Sequence, residues 1–220
     1  MPDTPARSRR PLLIAAAVLG ALGVGALALY GTGPGSGNAV AAECRASQEV
    51  ARRIAPLARG DVAALGVVPA PKPPPEVSFL DPSGKPVTLA DFKGRAVLVN
   101  LWATWCAPCR HEMPSLDRLQ AELGGPDFEV VAINIDTRNL ERPKTWLQEA
   151  GVGRLAYYAD PQARILQVLQ RSGHVVGLPT TILVDAAGCE LGTLKGAADW
   201  SGPDALRLVR AALGRPQAGE

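Results

Sequence analysis

An almost unbroken apolar run from Ala96 to Trp102 (AVLVNLW) constrains the fold of this 220-residue chain more than any other feature. A strand of this composition is expected to be covered on both faces, which indicates a sheet enclosed by other elements. Two cysteines follow at Cys106 and Cys109, and helical spacing of apolar residues begins at Pro108. The pattern therefore places two thiols between the end of a buried strand and the start of a helix.

Strands and helices alternate through the rest of the carboxy-terminal part. Hairpins are predicted around Asp81–Gly84 and Asp185–Gly188, because turn residues separate short apolar runs at both places. The other predicted elements are strands at Phe128–Ile135, Thr180–Val184 and Glu190–Leu194, and helices at Pro108–Leu123, Arg142–Ala150, Pro161–Leu169 and Pro203–Leu213. This order predicts an α/β domain with one mixed central sheet flanked by helices.

The amino-terminal part has the pattern of a membrane anchor. Residues 11–31 carry no charged side chain and follow Arg7, Arg9 and Arg10. A helix over them would be about 30 Å long, which is the thickness of the hydrocarbon core. We therefore expect a cytoplasmic amino terminus over 1–10, a transmembrane helix over 11–31, and the domain on the far side of the membrane. A cleaved signal peptide is the alternative, since Ala39–Ala41 offers small residues for cleavage.

Residues 32–75 are predicted to be a spacer with a short helix, before a domain over 76–220. The spacer begins rich in glycine, shows helical apolar spacing over Glu43–Leu65, and ends in the prolines of Pro69–Pro75. A proline-rich stretch of this kind is stiff and extended, which is typical of a boundary.

The charge of the chain excludes one class of partner. Lys and Arg total 23 against 21 Asp and Glu, for a formal net charge of +2. Proteins that bind nucleic acid usually cluster their basic residues on one face, whereas here they are scattered. We therefore expect no nucleic-acid partner.

The spacing of Cys106 and Cys109 predicts thiol–disulfide chemistry. The start of a helix favours a thiolate over a thiol, and a cysteine one turn later lies close enough to form a disulfide. Cys106 is then the exposed attacking thiol and Cys109 the shielded resolving thiol. Half of a zinc site is one alternative, but neither His111 nor His174 stands at a convincing spacing, so we expect no metal and no bound cofactor. A purely structural disulfide is the other alternative.

Three segments carry a family resemblance. LWATWCAPCRHEMP (Leu101–Pro114), FEVVAINID (Phe128–Asp136) and GLPTTILVD (Gly177–Asp185) resemble the TlpA family of membrane-anchored thioredoxin-like proteins. The resemblance implies a thioredoxin-like fold, an inner-membrane anchor in a bacterium and a catalytic domain in the periplasm. It further implies a reductase of cysteines in cytochrome oxidase copper-assembly components, recharged by a membrane electron donor.

The resemblance also assigns two further site residues. Pro179 matches the family's cis-proline, whose neighbour Leu178 would lie beside Cys106 and pair with an extended substrate segment; an ordinary trans proline is the alternative. Glu112 resembles the acidic residue near the buried cysteine, where a carboxylate relays a proton to or from Cys109. The alternative for Glu112 is a solvated surface residue paired with Arg110 or its neighbours.

Cys44 and Cys189 are the two remaining cysteines. In an oxidising compartment leftover cysteines are usually paired, and a disulfide between these two would fasten the spacer helix to the domain. The family resemblance supports this pair, and two free thiols are the alternative.

Two other functions remain open at this point. A thiol peroxidase on the same fold would attack hydroperoxides with one cysteine. A copper-binding assembly factor would hold the metal on two cysteines and a histidine, with three residues between the cysteines rather than two.

Overall fold

The computed structural model describes residues 43–217. The α-helices in this range are α1 (Ser47–Ile54), α2 (Ala107–Leu123), α3 (Arg142–Glu149), α4 (Arg164–Arg171) and α5 (Pro203–Ala212). The strands are β1 (Leu65–Val67), β2 (Ser78–Leu80), β3 (Pro86–Thr88), β4 (Ala96–Trp102), β5 (Phe128–Asn134), β6 (Tyr158–Ala159), β7 (Thr180–Val184) and β8 (Glu190–Lys195). Single turns of 3-10 helix cover Ala55–Leu57, Gly60–Val62 and Leu89–Phe92.

The strands form one mixed sheet in the order β1-β8-β7-β4-β5-β6-β2-β3. Every residue of β4 is buried, as its composition predicts. β4 runs parallel to β5 and antiparallel to β7, so the last residues of β4 and β5 and the first of β7 lie at the same end of the sheet. We call this the carboxyl end of the sheet, after β4, and the opposite one the amino end. The predicted α/β fold with a mixed sheet is confirmed.

α2 begins directly after the loop that leaves β4. Cys106 is its N-cap, and Pro108 lies in the first turn, where the missing N–H costs no helical hydrogen bond. Its apolar side is buried at the helical spacing that the sequence predicts, and the helix stops at Gly124. The side chains on this face are Cys109, Met113, Leu116, Leu119 and Leu123. The core under α2 therefore holds Cys106 at the carboxyl end of the sheet.

The segment predicted as a spacer contributes to the sheet. A helix over Glu43–Leu65 is wrong beyond Ile54, because Pro56 and then Gly60, at a φ of +55°, interrupt it. β1 follows and pairs antiparallel with β8, with Leu65 opposite Leu194. The boundary at residue 76 is therefore too late, since an edge strand of the same sheet precedes it.

α1 is held against the end of the domain by a polar contact. The Arg53 guanidinium donates from Nε to the Ala211 carbonyl oxygen at 2.8 Å. Ala51 and Ile54 of the same helix are buried in the core. The helix predicted in this segment thus exists, but it is short and packs on α5 rather than standing apart.

Two differences from the predicted elements have local causes. β6 has only two residues, at the end of the short apolar run 155–159, and a run this short has no period that identifies a strand. α4 starts at Arg164 rather than Pro161, because the Asp160 carboxylate accepts hydrogen bonds from the Gln162 and Ile165 amides. These bonds fix a turn ahead of the helix.

The predicted cytoplasmic segment 1–10 and the predicted anchor 11–31 lie outside the described residues. The possible cleavage site at Ala39–Ala41 also lies outside them. Within residues 43–217, no helix combines the length and the apolar composition that a membrane crossing requires.

Candidate functional site

Cys106 and Cys109 form a disulfide at the start of α2, with their Cα atoms 5.3 Å apart. The Cys109 amide donates a hydrogen bond to Cys106 Sγ at 3.2 Å. The Cys106 residue is 6% exposed and Cys109 is 0% exposed. Cys106 is therefore the less buried residue of the pair, but the prediction that it is exposed is wrong for the disulfide state.

The start of α2 favours a thiolate at Cys106. Unpaired N–H groups and the partial positive charge of a helix amino terminus lower the pKa of a thiol placed there. The Cys109 amide points at Cys106 Sγ, so one of these N–H groups is already directed at the sulfur. A thiolate at this position is both stabilised and the more accessible of the pair.

Glu112 lies one helical turn after Cys109 and is only 2% exposed. Its Oε1 accepts hydrogen bonds from Trp200 Nε1 at 2.7 Å and from the Ala198 amide at 3.1 Å, and its Oε2 accepts one from Asn100 Nδ2 at 3.1 Å. Burial raises the pKa of Glu112 to about 7, although these three donors oppose the shift. The alternative of a solvated Glu112 paired with Arg110 is wrong.

The groups around Glu112 form a buried polar network that sequence reasoning missed. Asn100 Nδ2 also donates to Thr181 Oγ1 at 2.9 Å, which joins β4 to β7 beside the carboxylate. Ser115 Oγ accepts from the Trp200 amide and so holds the indole in place. The sequence could have indicated Asn100, because it is a polar residue inside an otherwise apolar strand. No motif marks Trp200 or Ala198.

Pro179 lies at the carboxyl end of the sheet, and its peptide bond with Leu178 is cis. Thr180, the next residue, starts β7 opposite Leu101 near the end of β4. Thr180 Oγ1 donates to the Gly177 carbonyl oxygen at 2.8 Å. The structure therefore brings Pro179 to the same end of the sheet as the cysteine pair.

The two tryptophans near the pair have different surroundings. Trp102 is fully buried, and its ring centroid lies 5.7 Å from that of Trp146, so it is a packing residue. Trp105 is 66% exposed directly before Cys106. Trp105 therefore stands at the surface where a partner would reach the sulfur.

The two histidines contribute nothing to the cysteine pair. His111 is exposed on α2. His174 Nε2 lies 2.9 Å from Glu190 Oε2, and its Nδ1 lies 2.9 Å from Ser172 Oγ. In the part of the chain that the structure describes, no three His, Cys, Asp or Glu side chains converge as metal ligands would.

Cys44 and Cys189 form the second disulfide, across a sequence separation of 145 residues. Both residues are buried, and Cys189 follows the turn between β7 and β8, at the amino end of the sheet. Asp185 Oδ1 accepts the Cys189 amide at 2.9 Å, which fixes the turn. Glu43 and Lys93 form an ion pair beside Cys44. This disulfide therefore ties the amino-terminal segment to the end of the sheet opposite Cys106.

Residues 71–189 match the model of the AhpC/TSA family. The chain is 30% identical over 125 residues to "Thiol-disulfide oxidoreductase ResA" of Bacillus thuringiensis. The aligned residues cover 57% of this chain and 69% of the relative. It is 33% identical over 120 residues to "Thioredoxin-like protein YneN" of Bacillus subtilis, covering 52% and 64%.

A solved structure shows the same fold. The crystal structure of a thiol:disulfide interchange protein of the thioredoxin family from Chlorobium tepidum superposes with a TM-score of 0.54 at 30% identity. The match covers 66% of this chain and 97% of that one. The chain therefore belongs to the AhpC/TSA family and is a thiol-disulfide oxidoreductase with a thioredoxin-like fold.

Proposed function

We propose that the chain is a reductase of protein disulfides in which Cys106 attacks and Cys109 resolves. The observation that carries the proposal is that Cys106 Sγ accepts a hydrogen bond at the start of α2 while a buried carboxyl group lies one turn beyond Cys109. A purely structural disulfide has no use for a group that titrates near neutral pH. A buried thiol that must lose its proton during the reaction needs such a group as the proton acceptor.

The reaction begins at Cys106. Its thiolate attacks one sulfur of the substrate disulfide, so that a bond between Cys106 Sγ and the substrate forms and the substrate's own S–S bond breaks. The departing thiolate takes a proton from solvent. The product is a mixed disulfide in which Cys109 is still reduced and still shielded from water.

Resolution requires Cys109 to lose a proton in a buried position. The pKa of Glu112 is raised by burial to about 7, so its carboxylate can accept a proton at neutral pH and return it later. The Cys109 thiolate then attacks Cys106 Sγ, the Cys106–Cys109 bond forms, and the second substrate thiolate leaves and is protonated. Two electrons have passed to the substrate, and a dithiol donor must reduce the pair again.

We extend this proposal to the cellular role that the TlpA resemblance implies. Residues 11–31 would anchor the chain in the inner membrane of a bacterium, with the domain in the periplasm. Its substrates would be cysteines of cytochrome oxidase copper-assembly components, kept reduced so that they can take copper. A membrane protein that passes electrons across the bilayer would serve as the dithiol donor. The support for this role is the three resembling segments and the arginines before the apolar run.

Neither alternative function explains the buried Glu112 as well. A thiol peroxidase needs a polar cradle for the peroxide around one cysteine, whereas Cys106 already has a resolving partner in the same helix turn. A copper site would use both sulfurs as ligands and has no step in which Cys109 exchanges a proton. Consumption of hydrogen peroxide, or tight copper(I) binding without disulfide reduction, would reverse this preference.

The experiment that tests the proposal is a cysteine trap. The full-length chain with Cys109→Ser, expressed in its own organism, should accumulate mixed disulfides at Cys106 with proteins that carry copper-site cysteines. The chain with both Cys106→Ser and Cys109→Ser is the matched control and should capture none of them. Captured partners without copper sites would refute the copper-assembly role, and the absence of any captured partner would refute the reductase.

A further inference from the structure

A cavity of about 430 Å³ is lined by residues that flank Cys106 in the chain and by residues of the loop that follows β5. Trp105 and Arg110 line one side, and Arg138, Asn139 and Arg142 line the other. All these residues lie at the carboxyl end of the sheet. Trp105 directly precedes Cys106, so a polypeptide whose disulfide reaches Cys106 comes close to the lining of this cavity.

The three arginines in the cavity are free of competing partners. Arg110, Arg138 and Arg142 form no salt bridge and no side-chain hydrogen bond with any residue of 43–217, whereas eight ion pairs occur elsewhere in that range. Arg138 and Arg142 are exposed, and Arg110 is half-buried. Because arginine keeps its charge at every accessible pH, the cavity holds three unpaired guanidinium groups.

Asp136 is the one acidic residue in the lining, and its carboxylate is already occupied. It accepts hydrogen bonds from the Thr104 amide and hydroxyl, each at 2.9 Å, and from Asn134 Nδ2 at 2.7 Å. Its role is to hold the loop of Thr104 against β5. The lining therefore keeps an excess of positive charge that points toward solvent.

We infer that this arginine cavity binds an acidic side chain of the substrate polypeptide, close in sequence to the cysteine that Cys106 attacks. The inference rests on the proposed reductase function and names its substrate class. A guanidinium fork matches a carboxylate in two parallel hydrogen bonds, and Trp105 offers an apolar face beside it. Because two of the lining residues, Trp105 and Arg110, flank Cys106 in the chain, the acidic residue should lie close in sequence to the substrate cysteine.

The test compares two synthetic peptides that each hold one disulfide. One carries a glutamate two residues from the cysteine, and the other carries glutamine there. The reduced full-length protein should reduce the glutamate peptide about tenfold faster, measured as the second-order rate constant at low salt. This advantage should shrink as salt is added, because the cavity is open to solvent.

Two matched double variants distinguish an effect of the cavity on the glutamate preference from an effect of the protein's net charge. Arg138→Glu with Arg142→Glu should abolish the glutamate advantage, measured as the ratio of the rate constants for the two peptides with the same variant. Arg45→Glu with Arg154→Glu makes the same charge change at two exposed residues that do not line the cavity, and it should preserve the advantage.

Three outcomes would count against the inference. Equal rates for the two peptides would overturn it and leave the reductase intact. An equal loss of the advantage in both double variants would assign the preference to net charge and overturn it as well. Failure to reduce either peptide would refute the reductase together with the cavity's role.

Discussion

The disulfides Cys106–Cys109 and Cys44–Cys189 are both buried, but they lie at opposite ends of one sheet and in different surroundings. The first joins residues three positions apart at a helix start, next to a carboxyl group whose pKa is about 7. The second joins residues 145 positions apart, at a turn fixed by Asp185. The surroundings, rather than the bond itself, separate a disulfide that should react from one that should only stabilise the fold.

This comparison makes opposite predictions for removing each pair. The short pair should govern activity and have the smaller effect on stability, because a loop of three residues restricts the unfolded chain less than a long one. The long pair should govern stability with little effect on the chemistry, because it lies at the amino end of the sheet. The following variants test each half of the comparison, from the largest expected effect to the smallest.

Cys106→Ala should abolish reduction of a peptide disulfide, with a loss of more than about a thousandfold, because no other thiol can start the exchange. The measurement is the rate of thiol release from the peptide under single-turnover conditions. The variant with Cys44→Ala and Cys189→Ala is the control and should keep its activity wherever it is folded. Activity that survives in Cys106→Ala and disappears in that control would reverse the assignment of the two pairs.

Removing Cys44 and Cys189 together should lower the free energy of unfolding by up to about 5 kcal/mol, since the closed loop is long. Removing Cys106 and Cys109 together should cost only about 2 kcal/mol in the same chain-entropy model. Guanidinium unfolding of the two double alanine variants, without reductant, measures both values. The reverse ranking would contradict the structural role of the long pair.

Glu112→Gln should slow resolution of the mixed disulfide by about a hundredfold, because the proton acceptor for Cys109 is lost. The first step at Cys106 should be unchanged. In the parent protein the resolution rate should rise with pH through about 7, as Glu112 becomes a carboxylate, and the variant should lack this inflection. Rapid-quench analysis of both steps against pH checks this, and an unchanged profile would remove Glu112 from the mechanism.

The same substitution should change how stability depends on pH. The pKa of Glu112 is higher in the folded state, so the folded state binds the extra proton and stability falls as pH rises from 4.5 to about 7. The free energy of unfolding falls by about 3 kcal/mol in total, and the whole decrease is present well above pH 7. Glu112→Gln should therefore be the more stable protein at pH 8 and nearly equal at pH 4.

Glutamine is a suitable replacement because the pocket can adapt to it. Its carbonyl oxygen can accept the bonds from Trp200 and Ala198. Its amide can donate to Asn100 Oδ1, which has no hydrogen-bond partner within residues 43–217, once the Asn100 amide turns over. A stability difference that does not vary with pH would show that Glu112 is not the titrating group.

Trp200→Phe should have the smallest effect of these variants, a change in the pH at which the resolution rate inflects. It removes the hydrogen bond from Nε1 that lowers the pKa of Glu112, so the inflection in the resolution rate should move to higher pH. Arg118→Ala removes a hydrogen bond to Ser201 close by in sequence without touching Glu112, and its inflection should stay in place. The pH profile distinguishes this effect from simple loss of packing.

Much of this site could be predicted from the sequence, because residues close together in the chain determine its elements. The buried strand Ala96–Trp102, the helix start at Cys106 and the hairpin before Cys189 follow from apolar runs and turn residues close together in the chain. Each of them is present in the structure. The position of Pro179 at the same end of the sheet as the cysteines depends on strand pairing, and only the family resemblance indicated it.

The surroundings of Glu112 could not be predicted in the same way. Its partners come from β4 and from the loop before α5, about 12 and 88 residues away, and nothing in local periodicity connects them. The role of Leu65–Val67 was missed for a similar reason, since its strand exists only through pairing with β8. Long-range contacts determine both the surroundings of Glu112 and the strand Leu65–Val67, and no sequence motif marks either of them.

The order of attack by the two cysteines is the central claim, and one measurement tests it directly. Reduced full-length protein with Cys109→Ser, mixed with a peptide disulfide and quenched in acid, should carry the peptide on Cys106 when analysed by mass spectrometry. The matched Cys106→Ser protein should carry almost none on Cys109, because that sulfur is buried and lies past the helix start. Equal labelling of Cys109, or no adduct on Cys106, would contradict the account.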